Sequence, residues 1–350
     1  MHNQTAPNEQ TCIIGDKTPI LPLPDHLRSK VEHLENQLLL LCNIQPGTDM
    51  IYEDVPLDKN NPSLFIHTLR SVKISPNKEN FILIHGFLGS STNYIGLCPY
   101  LIDKYNLFIP DTIGMALSSR PQVKFTSTEQ CTNFFIDTIE QWRLALKIEN
   151  FYLCGHSLGG YFAGAYSLKY PTAINKVLLL SPACISNIKN GGNIHKEAGC
   201  CIGCGLGMLC PCWCCEPRFQ QLYNCSLFTP IVKLIFRVRY QSTAELNEVM
   251  AKLSEIAMEY PSDLDKCMWY IFKNPFPKGA NPLEDKMLSQ SKLNYVICFG
   301  EVDWMDQAGS RRLAEKEPDR FKVYTVSRNG HMFILENSKE LAEIINKEFV

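Results

Sequence analysis

Phe151-Tyr152-Leu153-Cys154-Gly155-His156-Ser157-Leu158-Gly159-Gly160 is the stretch that decides the fold. Residues 151–154 form an apolar run without alternation, which predicts a strand buried on both faces of a parallel sheet. Gly155-x-Ser157-x-Gly159 follows at once, and an alanine- and aromatic-rich segment then predicts a helix that stops at Tyr170-Pro171. A serine between strand and helix, with glycines two before and two after, is the pattern of a strained turn that projects a nucleophile from the sheet edge. The glycines matter because a Cβ at either position would meet the adjoining backbone. The start of the following helix places partial positive charge beside any oxyanion that forms there.

Outward from this turn the same logic repeats. Upstream, Phe81–Ile84 ends in His85-Gly86-Phe87-Leu88-Gly89, and Leu107–Ile109 ends in Pro110-Asp111. Downstream come Val177–Leu180, Tyr295–Gly300 and Phe321–Val326. Ser63–Leu69 reads as a strand. Apolar residues at Leu27, Val31, Leu34, Leu38 and Leu41 mark one face of a helix. Thr126-x-x-Glu129 reads as a capping box before a helix with Phe135, Ile139, Trp142 and Leu146 on one face. Asn337 is read as the cap of a closing helix with Leu341, Ile344 and Ile345 inward. Alternating strands and helices predict an α/β class, a mostly parallel doubly wound sheet with an inserted cap. The expected division is residues 1–60 as tail and helix, 61–183 and 291–350 as core, and 184–290 as cap.

A serine needs a base. In this architecture the histidine follows the last strand, and His331 in Asn329-Gly330-His331 occupies that place. His85 and His156 are read as parts of turns. The acid is expected after the preceding strand, where Glu301, Asp303 and Asp306 lie. Asp303 stands in the usual position and Asp306 is the alternative. Asp111 precedes the serine and is read as a turn cap. Two backbone N–H groups should hold the oxyanion, those of Leu158 and Phe87. Such chemistry needs no cofactor and no metal.

These residues resemble the α/β-hydrolase superfamily. Within it they resemble the subfamily of the lipid-droplet lipase co-activator, N-acyl-phospholipid lysophospholipase B and cardiolipin-specific deacylases. The likeness rests on Phe65–Leu69, His85-Gly86-Phe87, Ser118–Pro121, Glu140–Arg143, the Ser157 turn, Ala165–Pro171 and Asp303–Asp306. It spans about residues 60–345 and is weak in the cap. It implies a serine hydrolase of lysophospholipase or phospholipase type, with a lipid substrate. Ser157 fills a position where the co-activator lacks serine, which favours the active members; a lysophosphatidic acid acyltransferase using the same acyl-enzyme and a non-catalytic lipid-droplet lipase co-activator are the alternatives. In the co-activator the acid aligns with Asp306. The subfamily also carries a His-x4-Asp motif linked to lysophosphatidic acid acyltransfer, and here His331 is followed by Glu336 instead. A second departure is Asp111–Ala116, where the family usually has Leu-Leu-Gly-Phe-Gly.

Composition sets the remaining bounds. The chain has 350 residues, 45% of them hydrophobic and 20% charged, which excludes wholesale disorder. A formal net charge of −2 argues against a nucleic-acid partner. No apolar run reaches the length of a membrane span, and the first twelve residues lack a signal-peptide pattern, so the expected location is cytoplasmic, peripheral at a membrane or lipid droplet. Of the 16 cysteines, eight lie between Cys200 and Cys225. Residues 199–215 carry no charge, and Ile231–Arg239 adds an apolar stretch mixed with Lys233, Arg237 and Arg239. Zinc binding through Cys201-x-x-Cys204 and Cys212-x-Cys214, disulfides, and a buried or disordered cysteine-rich loop are the other readings. The one carried forward is membrane contact, with cysteines open to S-acylation.

Overall fold

A computed structural model describes residues 14, 18–21, 24–187, 243–260, 262–273 and 278–349. The cysteine-rich segment 199–225 lies outside the described residues, and so does Ile231–Arg239.

Eight strands build the main sheet: β1 Met50–Asp58, β2 Asn61–Ser71, β3 Glu79–Ile84, β4 Tyr105–Pro110, β5 Phe151–His156, β6 Ile174–Leu180, β7 Tyr295–Gly300 and β8 Phe321–Val326. Their order across the sheet is β8-β7-β6-β5-β3-β4-β2-β1. From β4 to β8 every neighbour is parallel, while β1, β2 and β4 pair antiparallel. The mostly parallel sheet expected from sequence is therefore present. One strand is new. The sequence reading places residues 1–60 outside the core, but β1 pairs with β2 along the edge of the sheet. Its mixed residues, Met-Ile-Tyr-Glu-Asp-Val-Pro-Leu-Asp, lack the apolar run of a doubly buried strand because it is an edge.

Pleating sends successive side chains to opposite faces. Ile82 and Ile84 enter a core with Phe135, Trp142 and Phe162, whereas Phe81 and Leu83 enter a core with Leu38, Leu341 and Ile345. Helices α1 Asp25–Leu41, α2 Thr128–Ala145, α3 Leu158–Lys169, α4 Ala244–Glu259, α5 Glu284–Gln290, α6 Ala308–Lys316 and α7 Ser338–Glu348 form the covering layers, and α1, α2, α3 and α7 supply these helical core residues. Burying a Leu or Phe in this way contributes roughly 1.5–3 kcal/mol each. Helix α2 is capped by Ser127, whose hydroxyl accepts the Gln130 N–H at 3.1 Å. The expected box on Thr126 and Glu129 is thus shifted: Thr126 instead donates to the Gln130 side chain. Asn337 does precede α7, but its side chain caps no N–H of that helix; it donates to Glu340 at 2.7 Å and to the Ser327 carbonyl at 3.4 Å.

Leu283 and Glu284 N–H groups donate to the Cys184 and Ile185 carbonyls, which joins the two described ends of the 184–290 insertion to each other, and Cys184, Ile185, Leu283 and Met287 pack in the core cluster. Helix α4 packs against α1. Arg120 fixes its end: the buried guanidinium donates to the Tyr260 and Ala116 carbonyls at 2.6 Å and lies 4.0 Å from the Tyr260 ring centroid. Among the described residues no helix is long and apolar enough to cross a membrane.

Candidate active site

Strand β5 runs straight into α3 through Ser157, with no intervening loop. This forces Ser157 to φ 56° and ψ −116°, a conformation that costs about 1–3 kcal/mol in a non-glycine residue. Hydrogen bonds on both sides of the residue hold it there. Its N–H donates to the Leu180 carbonyl at 2.9 Å, and its carbonyl accepts the Ala183 N–H at 2.9 Å. The flanking glycines leave no room for a side chain. A Cβ on Gly155 would lie 2.1 Å from the Gly159 oxygen, and one on Gly159 would lie 2.3 Å from the His85 oxygen.

His331 enters from the loop after β8. Its Nε2 is 2.9 Å from Ser157 Oγ, and its Nδ1 is 3.0 Å from Asp303 Oδ1. With Nδ1–H donating to a carboxylate, Nε2 is left as the acceptor for the serine proton. Asp303 comes from the loop after β7, and its side chain is fully shielded from solvent. Its Oδ1 also accepts the Met305 N–H at 3.0 Å, and its Oδ2 accepts the Ser181 hydroxyl. Burial works to raise the Asp303 carboxyl, but His331, Ser181 and Met305 together hold it below the usual aspartate range.

Asp306, the alternative acid, has another task. Its Oδ1 accepts the Ala308 N–H at 2.9 Å at the start of α6, while Asp303 occupies His331 Nδ1. Glu301 accepts the Arg328 N–H at 2.7 Å. Asp111 caps as expected, accepting the Ser91 N–H at 2.6 Å and the Leu117 N–H at 3.1 Å. Glu336 accepts the Asn329 side chain at 3.1 Å and so braces the loop that carries His331.

Leu158 opens α3, so its N–H is among those a helix leaves without an intrahelical acceptor. The loop bearing Phe87 packs against the serine: a Cβ on Gly86 would sit 3.0 Å from Ser157 Cβ. That loop is rigidly set. His85 Nδ1–H donates to the Gly86 carbonyl at 2.8 Å, and its Nε2 accepts the Thr112 N–H at 2.8 Å. Gly89 N–H closes a turn onto the Gly86 carbonyl at 3.1 Å. Phe87 itself packs on the core cluster. Among the described residues no group of three or more histidine, cysteine or acidic side chains is arranged to hold a metal ion.

Sequence reasoning misses Ser181 and Trp304, and it assigns His156 only to the turn. In the structure the Trp304 ring lies 4.8 Å from that of His331, and the His156 ring lies at the same distance. The available signal for Ser181 is its place directly after β6, the strand beside the serine turn; in the structure it has φ 43°.

Residues 79–194 match the family model of the alpha/beta hydrolase fold. The probable 1-acylglycerol-3-phosphate O-acyltransferase of Oryza sativa subsp. japonica is 30% identical over 317 residues, covering 83% of this chain and 74% of that protein. The chain belongs to the α/β-hydrolase family. Human 1-acylglycerol-3-phosphate O-acyltransferase ABHD5 is a further relative, 33% identical over 158 residues that cover 44% of this chain and 43% of that protein. Among solved structures, naproxen esterase from Bacillus subtilis superposes with a TM-score of 0.62 at 16% identity, covering 94% of this chain and 100% of that one. A bacterial membrane phospholipase A superposes with a TM-score of 0.65 at 15% identity, covering 92% and 91%. At such identities these two likenesses speak for the hydrolase fold alone.

Proposed function

We propose that this α/β-hydrolase cleaves acyl bonds of lipids through an acyl-enzyme on Ser157. The observation that carries the reading is the continuous relay from Ser157 Oγ to His331 Nε2 and from His331 Nδ1 to Asp303. Ser157 Oγ attacks the acyl carbonyl carbon as its proton passes to His331 Nε2, and Asp303 stabilises the imidazolium. The Phe87 and Leu158 N–H groups hold the oxyanion. The bond to the leaving group breaks, and His331 returns the proton to the departing atom. A second nucleophile then gives its proton to His331 and attacks the acyl carbon, the bond to Ser157 Oγ breaks, and His331 returns the proton to that oxygen.

That second nucleophile sets the name of the activity. Water gives a lysophospholipase- or phospholipase-like hydrolase, and the hydroxyl of a lysolipid gives an acyltransferase. The activity by which the rice and human relatives are named, 1-acylglycerol-3-phosphate O-acyltransfer, supports lysophosphatidic acid as such an acceptor. Retention of Ser157 supports a catalytic protein over an idle lipid-droplet adaptor. Location at a membrane or lipid-droplet surface belongs to the same proposal. It is supported by the uncharged segment 199–215 and the basic, apolar Ile231–Arg239.

The test is a panel of acyl-lipids incubated with purified protein, with and without lysophosphatidic acid, beside Ser157→Ala. The expected result is Ser157-dependent release of fatty acid or formation of phosphatidic acid. Turnover that survives Ser157→Ala overturns the reading. For the surface, deletion of residues 199–215 should reduce flotation with liposomes, and unchanged flotation would refute membrane contact through that segment.

A further inference from the structure

We infer that His156 is a positioning residue: its ring N–H holds the backbone of His331, so the serine turn itself sets the place of its own base. The inference rests on the Ser157 acyl-enzyme reading and deepens it. His156 Nε2 is 2.9 Å from the His331 carbonyl oxygen, to which it donates, and the residue is 1% exposed. The two rings lie with centroids 4.8 Å apart at 42°.

The contact matters because of where its ends lie. His156 closes β5 and is the residue before Ser157, whereas His331 sits 174 residues beyond Ser157 on a loop. Other ties hold that loop through its neighbours. Val302 N–H donates to the Asn329 carbonyl at 3.0 Å, and Asn329 reaches Glu336. The His156 contact acts on the peptide of His331 itself. A displacement of the turn therefore moves nucleophile and base together and preserves the 2.9 Å contact between Ser157 Oγ and Nε2. The ring contact adds steric definition, since the His331 imidazole also meets Trp304 at 4.8 Å. A misplacement near 1 Å in such a constellation can cost about 10²-fold in rate.

The experiment compares wild type with His156→Phe, which keeps a ring without the donor, and His156→Gln, which restores an N–H donor. Active sites are first counted by titration with a fluorophosphonate, so that kcat is expressed per competent molecule and partial unfolding does not enter. The expected result is a fall in kcat of about 10²-fold for His156→Phe with KM nearly unchanged, and recovery to within about 10-fold of wild type for His156→Gln. A role confined to folding would lower the melting temperature and leave kcat per titrated site alone, and that outcome overturns the inference. Should His156→Phe yield no titratable protein, His156→Gln against His156→Leu decides it: equal kcat in the two contradicts positioning by the donor. Wild-type protein that never reacts with the probe would instead defeat the acyl-enzyme reading.

Discussion

The Ser181 hydroxyl donates to Oδ2 of Asp303, the carboxylate oxygen that His331 leaves open. Both oxygens of the acid are thereby engaged, Oδ1 by His331 and Met305 and Oδ2 by Ser181. A carboxylate fixed on both sides cannot rotate away from the imidazole, and its ionised form is favoured.

Ser181→Ala should raise the Asp303 carboxyl toward the ordinary aspartate value and lower kcat/KM by about 10-fold, as expected for loss of one hydrogen bond to a charged group. Because Asp303 is held low in the folded chain, its contribution to stability is complete above the unfolded value of about 3.9 and fades as pH falls below it. Loss of the Ser181 donor should make that acid-side decline smaller. Urea unfolding at pH 3 to 6, with a pH–rate profile, checks both.

Asp303 and Asp306 should separate cleanly. Asp303→Asn should cost up to about 10⁴-fold in kcat by leaving His331 without its anionic partner. Asp306→Ala should cost about 1 kcal/mol of stability through the lost contact to the Ala308 N–H, and less than about 3-fold in kcat. Steady-state kinetics paired with thermal unfolding measures the split. A larger kinetic loss at Asp306 would move the acid.

His67 makes a prediction away from the site. It is buried between Asp54, 2.7 Å from Nδ1, and Glu35, 3.2 Å from Nε2. Burial acts to lower its pKa, yet the two carboxylates prevail and hold it at about 10. The sign follows: stability from the bound proton is fully present below the unfolded value of about 6.5 and is lost as pH rises through about 10. His67→Gln should destabilise the protein by about 3 kcal/mol at pH 6, as for a broken buried pair, and flatten the decline toward pH 10. Reactivity of Ser157 toward a fluorophosphonate, per folded molecule, should not change.

Gly155→Ala tests the turn. The added methyl would lie 2.1 Å from the Gly159 oxygen, which is backbone and cannot swing aside. The expected loss is at least about 3 kcal/mol of stability, read as a large drop in melting temperature, together with loss of probe labelling. Wild-type stability and labelling in this variant would mean that the turn is not as tight as described.

Much of this was legible in the chain, for physical reasons. Doubly buried strands such as Phe81–Ile84 and Phe151–Cys154 carry apolar runs that stand out, and the Ser157 turn needs its glycines, so both announce themselves. Edge strand β1 does not, because one side faces solvent and its sequence mixes Glu53 and Asp54 with Met50 and Val55. The choice between Asp303 and Asp306 needs three dimensions: both follow β7, and only the loop geometry aims one at His331 while the other turns to the start of α6. Ser181 and the His156 contact are invisible to motifs because each joins residues more than a hundred positions apart. The Thr126 box fails by one residue, since Ser127 competes for the same cap.

Ser157 as the nucleophile of an acyl-enzyme is open to a direct test. The most direct measurement is mass spectrometry of the intact chain and its peptides after reaction with a fluorophosphonate, for wild type and Ser157→Ala. The expected result is one adduct per wild-type chain, located on the peptide containing Ser157, and none on the variant. An adduct of equal extent on Ser157→Ala, or no adduct on folded wild type, would contradict it.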